Sequence, residues 1–170
     1  MAPPLDFERL YDEHAQALFS FLIQFTRNEA DTKDLLQELF VKLARNPRLF
    51  EAVRDERAFL LRLAHNQAID LIRRRGTREK TREELAEEMA AVIAPIAEPD
   101  EQAFREALST ALGELPEEQR VVVHLKLWER LTFEQIAKVL QISANTAASR
   151  YRYGIDKLRE QLRPIYDEIR

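Results

Sequence analysis

The sequence predicts an all-α protein of two small helical domains joined by an acidic linker, the second domain containing a helix-turn-helix. Three observations carry this reading. Outside the middle of the chain, apolar residues recur at intervals of three and four, the period of a helix with one buried face. Glycine is scarce, with only Gly76, Gly113 and Gly154 among 170 residues, so the tight hairpins of a β-rich fold have little to be built from. Residues 131–162 open with Thr132 and Gln135 at capping-box spacing, break at Gln141-Ile142-Ser143 and resume as a longer helix.

Taken in order, Phe7, Leu10, Tyr11, Leu18, Phe21, Leu22 and Phe25 hold a helical stripe through residues 6–26, broken by Arg27-Asn28. Asn28 caps a second helix, Glu29 to Arg45, with Glu29 and Asp31 in its dipole-favoured first turn and a core row of Leu35, Leu36, Leu39, Phe40 and Leu43. Asn46-Pro47 ends it, because a residue before proline is pushed out of the helical region. After an Arg-bearing loop, Asp55 caps a third helix, Glu56 to Arg75, whose buried row is Leu60, Leu61, Ala64, Ala68, Leu71 and Ile72. These three helices make a first domain, residues 1–76.

Residues 77–106 read as the linker. From Gly76 to Ala107 acids outnumber bases by nine to four, and Pro95 and Pro99 interrupt the chain. Leu85, Met89, Val92, Ile93 and Ile96 form one amphipathic stripe there, too thin for a core of its own. Glu83, Glu84, Glu87 and Glu88 beside it either imitate a nucleic-acid backbone or belong to a plain tether. The second domain, residues 107–170, begins within a helical pattern over 102–112 that Gly113 stops. Pro116 then opens a helix at its first position ahead of Glu117 and Glu118, and Val121, Val122, Leu125, Leu127 and Trp128 supply its apolar face. Phe133, Ile136, Ala137 and Leu140 form the first helix of the helix-turn-helix, Ile142 plugs the corner, and Ser143 caps the second.

That second helix starts with small residues that permit close backbone approach, while Asn145, Thr146, Ser149 and Arg150 carry polar tips able to reach base edges or phosphates. This is how a recognition helix enters the major groove. Two amphipathic helices with a tight turn also form plain packing corners, and the stretch alone leaves both readings open. The formal charge of −4 argues against nucleic acid until it is divided along the chain. Residues 1–75 are balanced and residues 108–170 carry one excess base, so the acidity belongs to the middle and the ends are free to carry local basic patches.

Other function classes are excluded or weakened. No apolar run approaches the roughly 18 residues of a membrane helix, and the first residues lack the pattern of a secretory signal. The protein is therefore expected to stay in the cytoplasm. Without cysteine there is no disulfide, thiolate metal site or thiol nucleophile. His14, His65 and His124 lie far apart, form no ligand pair, and read as surface or boundary residues. With no nucleophile, base or metal constellation, the chain reads as a non-enzyme with no cofactor, no metal and no small-molecule substrate.

Three segments at these separations resemble the bacterial RNA polymerase sigma factors of the extracytoplasmic-function type, which carry sigma regions two and four only. They are Asp34-Leu35-Leu36-Gln37-Glu38-Leu39-Phe40, then the third helix with Ala58 to Asn66 and Ile69-Asp70-Leu71-Ile72-Arg73-Arg74-Arg75, and finally Leu115-Pro116-Glu117-Glu118-Gln119-Arg120 through the helix-turn-helix. The resemblance implies a transcription initiation factor whose partners are core RNA polymerase, promoter DNA and an anti-sigma factor or other regulator. It implies that Asp34, Gln37, Glu38 and Val41 dock on the polymerase clamp, although spacing alone fits a solvated helix face. Arg62, Asn66, Asp70, Arg73 and Arg74 would hold the melted minus-ten element, with specificity from the loop over 46–54. Asn145, Thr146, Ser149, Arg150 and Arg152 would read the minus-thirty-five element. The chain departs from the family in its recognition helix, where Ala148 and Tyr151-Arg152-Tyr153-Gly154 replace a more basic run. Phe50 and Phe59 are read as core. A stand-alone helix-turn-helix regulator and a helical adaptor remain as alternatives.

Overall fold

The structure is a computed structural model and describes residues 4–75 and 99–169. Among the described residues there are seven α-helices and no strand. They are α1 (Phe7–Thr26), α2 (Glu29–Arg45), α3 (Glu56–Arg75), α4 (Pro99–Glu114), α5 (Glu117–Leu127), α6 (Phe133–Leu140) and α7 (Ala144–Ile169), with a 3₁₀ turn at Pro47–Phe50.

Caps set the boundaries, at Asn28 and Asp55 as the sequence places them and at Asp6, which it gives only as the start of a stripe. Asp6 accepts from the Arg9 amide at the start of α1, Asn28 from Asp31 at the start of α2, and Asp55 from Ala58 at the start of α3. Arg27 closes α1 in the left-handed region (φ 51°). The α1–α2 corner is then pinned by buried Thr32, whose hydroxyl donates to the Asn28 carbonyl (2.7 Å) and meets the Thr26 hydroxyl (2.6 Å). α1 packs on α2 and α3, and α7 packs on α4, α5 and α6, giving two helical halves.

The halves meet along a seam in which α1 packs against α5 and α3 against α6. Apolar residues of both join one continuous buried cluster, running from Phe21, Leu22 and Leu60 to Val122, Leu125 and Ile136. A smaller cluster of Ala111, Leu112, Leu115, Val123 and Leu158 holds α4, α5 and α7 together. Gly154 of α7 faces α5 so closely that a Cβ there would stand 2.8 Å from Val123 Cγ2.

Among the described residues, polar groups meet across the seam at three places. Arg120 is 1% exposed, yet its guanidinium donates to the Leu115 carbonyl (3.3 Å) and to the Gln24 carbonyl in the last turn of α1 (2.9 Å). Both acceptors belong to the carbonyl-rich end of a helix or lie just beyond it, where a cation is favoured. Burial, together with nearby Arg27, lowers the Arg120 pKa to about 10, which leaves it charged at neutral pH. Arg57 approaches buried Glu129 (3.7 Å), which also stands 3.6 Å from His124. At the third place two helix caps are joined. Gln135 Oε1 accepts from the Thr132 amide within its capping box while its Nε2 donates to Asp55 Oδ2, the free oxygen of the α3 cap.

Several expectations are corrected. Gly113 does not stop a helix, because α4 continues to Glu114, and Pro116 is the cap of α5 rather than its first residue. α4 begins at Pro99, so the last part of the expected linker, residues 99–106, is helical. Tyr11, part of the apolar stripe expected for α1, is 51% exposed, and Leu127 and Trp128 are exposed beyond the buried face of α5. His124 is buried and stacks on Trp128 (5.7 Å, 9° between planes), with Phe21 of the other half nearby. The stripe from Leu85 to Ile96 and the glutamates beside it lie outside the described residues.

Candidate polymerase and nucleic-acid interfaces

On α2, burial of Leu35, Leu36, Leu39 and Leu43 turns Asp34, Gln37, Glu38 and Val41 outward together. With Lys42, Arg45 and Asn46 they line one shallow depression of about 500 Å³. All four expected docking residues are thus adjacent and exposed, and the face is acidic at its Asp34–Glu38 end. Arg75, at the end of α3, pairs with Asp31 of α2 (2.7 Å), and that carboxylate, with Asp34 and Glu38 beyond it, raises the guanidinium pKa.

On α3, Leu60, Leu61, Ala64 and Ala68 are buried, which leaves Arg62, Asn66, Asp70, Arg73 and Arg74 all exposed. Ile69 lies among them by spacing but packs against the core. Arg74 Nε donates back to the Asp70 carbonyl (3.3 Å), an easily exchanged local contact. Phe50 and Phe59 meet edge to face (5.3 Å) against the core, as their reading as packing residues requires.

The helix-turn-helix follows from its local chemistry. Thr132 and Gln135 complete the capping box of α6, and Gln141 turns the chain in the left-handed region (φ 57°). Ser143 then caps α7 by accepting from the Thr146 amide (3.0 Å), and its hydroxyl also bonds the Thr146 hydroxyl (2.8 Å). Thr146 is therefore partly engaged in the cap, whereas Asn145 is exposed. Buried Ala147 and Gly154 place the inward stripe of α7. Tyr151 joins it, edge-on to Phe133 (5.6 Å), while Tyr153 points outward at 55% exposure beneath Arg152. Ser149 and Arg150 are half-buried, and Arg150 reaches exposed Glu118 at 3.7 Å, a weak surface pair that a phosphate or base edge can displace.

The groups crossing the seam escaped the sequence reading. Arg120, His124 and Glu129 look like solvent residues in a periodic pattern, and Asp55 and Gln135 had already been assigned as caps. Elsewhere, Glu13, His14 and Glu56 place ligand-type atoms within 4.8 Å of one another, but Arg9 already donates to both carboxylates and lowers the Glu56 pKa.

Comparison with known proteins decides the family. Residues 10–78 match the model of sigma-70 region 2 and residues 105–158 that of sigma-70 region 4. RNA polymerase sigma-E factor of Streptomyces coelicolor is 32% identical over 165 residues, covering 95% of this chain and 89% of the relative. The chain belongs to the extracytoplasmic-function RNA polymerase sigma factors. Sigma factor CarQ of Myxococcus xanthus is similar at 30% identity over 96% of this chain and 92% of its own. The fold resembles the sigma factor RpoE of Bartonella quintana, solved in complex with the anti-sigma factor NepR (TM-score 0.72, 23% identity, covering 93% of this chain and 97% of that one). As a sigma factor the protein binds core RNA polymerase, directs it to specific promoters and promotes DNA opening. Among the described residues no helix is long and apolar enough to cross a membrane.

Proposed function

We propose that the two halves divide this work. Residues 1–76 act as region two: Asp34, Gln37, Glu38 and Val41 dock on core polymerase, and Arg62, Asn66, Asp70, Arg73 and Arg74 hold the minus-ten element as its strands part. Residues 107–170 act as region four, where Asn145, Thr146, Ser149, Arg150 and Arg152 read the minus-thirty-five duplex, and residues 77–106 connect the two. The supporting observation is segregation: the three sets lie on three different helices, α2, α3 and α7, and among the described residues the polar contacts across the seam use none of them. The protein contributes binding rather than catalysis and works in the cytoplasm, where polymerase and promoter meet. An anti-sigma factor or comparable regulator completes its partners, as the complex of its fold neighbour suggests.

This division requires the seam to part. At about 3.4 Å per base pair, the two promoter elements stand roughly 80 Å apart on straight duplex, too far for halves in contact to read both at once. The docking assignment is tested by Asp34→Lys with Glu38→Lys. The double variant is expected to lose co-elution with core polymerase and run-off transcription while keeping its helical circular dichroism. Unchanged co-elution overturns the assignment.

A further inference from the structure

We propose that Tyr153 is a positioning residue for promoter reading: its ring holds the Arg152 guanidinium outward as a free planar fork for a guanine edge and keeps it from an ion pair with Asp156. This rests on the region-four role given above to Arg152, and it adds a residue that none of the expected contact sets contains. It begins from an aromatic ring on the outward side of α7. Tyr153 is 55% exposed on a helix whose other tyrosine, Tyr151, packs inward against Phe133.

Buried Ala147, Gly154 and Leu158 fix the inward side of α7, so positions 145, 149, 152 and 156 form the opposite line, about one to each turn. Tyr153 stands beside Arg152 at the edge of that line. Spacing offers Arg152 a carboxylate, because Asp156 follows it by four residues on the same line. The pair is not made. Asp156 approaches Arg159 instead (3.9 Å), and the Arg152 guanidinium lies over the Tyr153 ring, 5.4 Å from its centroid. Arg150 has Glu118 at 3.7 Å, whereas among the described residues no carboxylate stands within ion-pair distance of Arg152.

A ring does for this cation what a carboxylate cannot. A carboxylate occupies the in-plane N–H donors of the guanidinium, the same donors that a base edge needs. The face of an aromatic ring attracts the cation through its quadrupole and leaves those donors free. It also restricts a long side chain in advance, so less conformational entropy is lost when the fork is engaged. A free fork on a helix that enters the major groove matches O6 and N7 of guanine, which accept two parallel hydrogen bonds. Without the ring, Asp156 is the nearest competitor for the fork.

The experiment uses holoenzyme assembled from core polymerase and the full chain, on the duplex that the native holoenzyme selects from a randomised library. Arg152→Ala is expected to weaken binding about tenfold and to relax preference at one G·C pair. Tyr153→Ala should relax preference at the same pair and weaken binding about threefold, while Tyr153→Phe, which keeps the ring, should bind and select as the native chain does. Adding Asp156→Asn to Tyr153→Ala should return most of the lost preference, because the competing carboxylate is gone. Thermal midpoints should stay native throughout, since all three side chains are exposed. If Tyr153→Ala selects as the native chain does, the ring positions nothing and the proposal is overturned. If Tyr153→Phe loses as much as Tyr153→Ala, the hydroxyl itself contacts DNA and the positioning role is overturned. If Arg152→Ala weakens all sequences alike, Arg152 holds a phosphate and the guanine edge is overturned. If Asn145→Ala and Arg152→Ala both leave affinity and preference unchanged, the region-four reading itself has failed.

Discussion

The two ends of α1 treat apolar surface in opposite ways. In its C-terminal half Phe21, Leu22 and Phe25 are buried, and the Gln24 carbonyl is bonded by Arg120 from the other half of the molecule. In its N-terminal half Phe7 and Tyr11 line an open trough. The seam has its partner within the same chain and can close as soon as both halves fold. The trough has acidic rims, and no described element of the chain fills it. The apolar faces of one helix are thus divided between a contact within the chain and an open trough, and under the proposed division of labour the internal contact is the one released when a promoter is read.

The largest effect that can break this comparison comes from preventing that release. The chain has no cysteine, so Asp55→Cys with Gln135→Cys introduces a unique pair where the caps of α3 and α6 meet. A short cleavable cross-linker between them is expected to abolish promoter-directed run-off transcription while core binding persists, and cleavage should restore transcription. Full transcription by the cross-linked protein shows that the seam need not open. A smaller effect comes from Arg120→Ala, which strands the Leu115 and Gln24 carbonyls and vacates buried space. It should cost about 3 kcal/mol in denaturant unfolding. Core affinity measured on the folded protein should not change, and a loss of about tenfold would mean that the seam and the docking face are coupled. The smallest change sharpens the local picture. Thr132→Ala removes the cap hydroxyl of α6 and should cost about 1 kcal/mol, read as a modest fall in the thermal midpoint.

Much of this organisation is legible in the sequence, and the failures have physical reasons. α2, α3 and α6 begin and end where expected because a capping side chain and a periodic stripe agree at each start. Tyr11 was misplaced because periodicity identifies which side of a helix is apolar and not how far neighbouring helices extend to cover it. Gly113 was misread as a stop because helix propensity is a weak local preference, and packing of Ala111 and Leu112 against Val123 and Leu158 outweighs it. Asp34, Gln37, Glu38 and Val41 and the set from Arg62 to Arg74 are exposed, whereas Thr146, Ser149 and Arg150 are only partly so, and spacing alone could not separate a docking face from a solvated one. The seam was invisible because its central groups are charged or already engaged as caps, and nothing in a linear pattern pairs residue 24 with residue 120.

The inward stripe of α7 has a consequence for how such a protein diversifies. Ala147, Gly154 and Leu158 face the interior, and Tyr151 packs against Phe133, so these positions are constrained by the frame. Asn145 and Arg152 face water. Under the proposed reading of the promoter by this helix, replacements at the second group alter the vocabulary of the reading head while leaving its mounting intact, so a duplicated copy of this chain would acquire new target genes through one or two exposed substitutions without crossing an unstable intermediate.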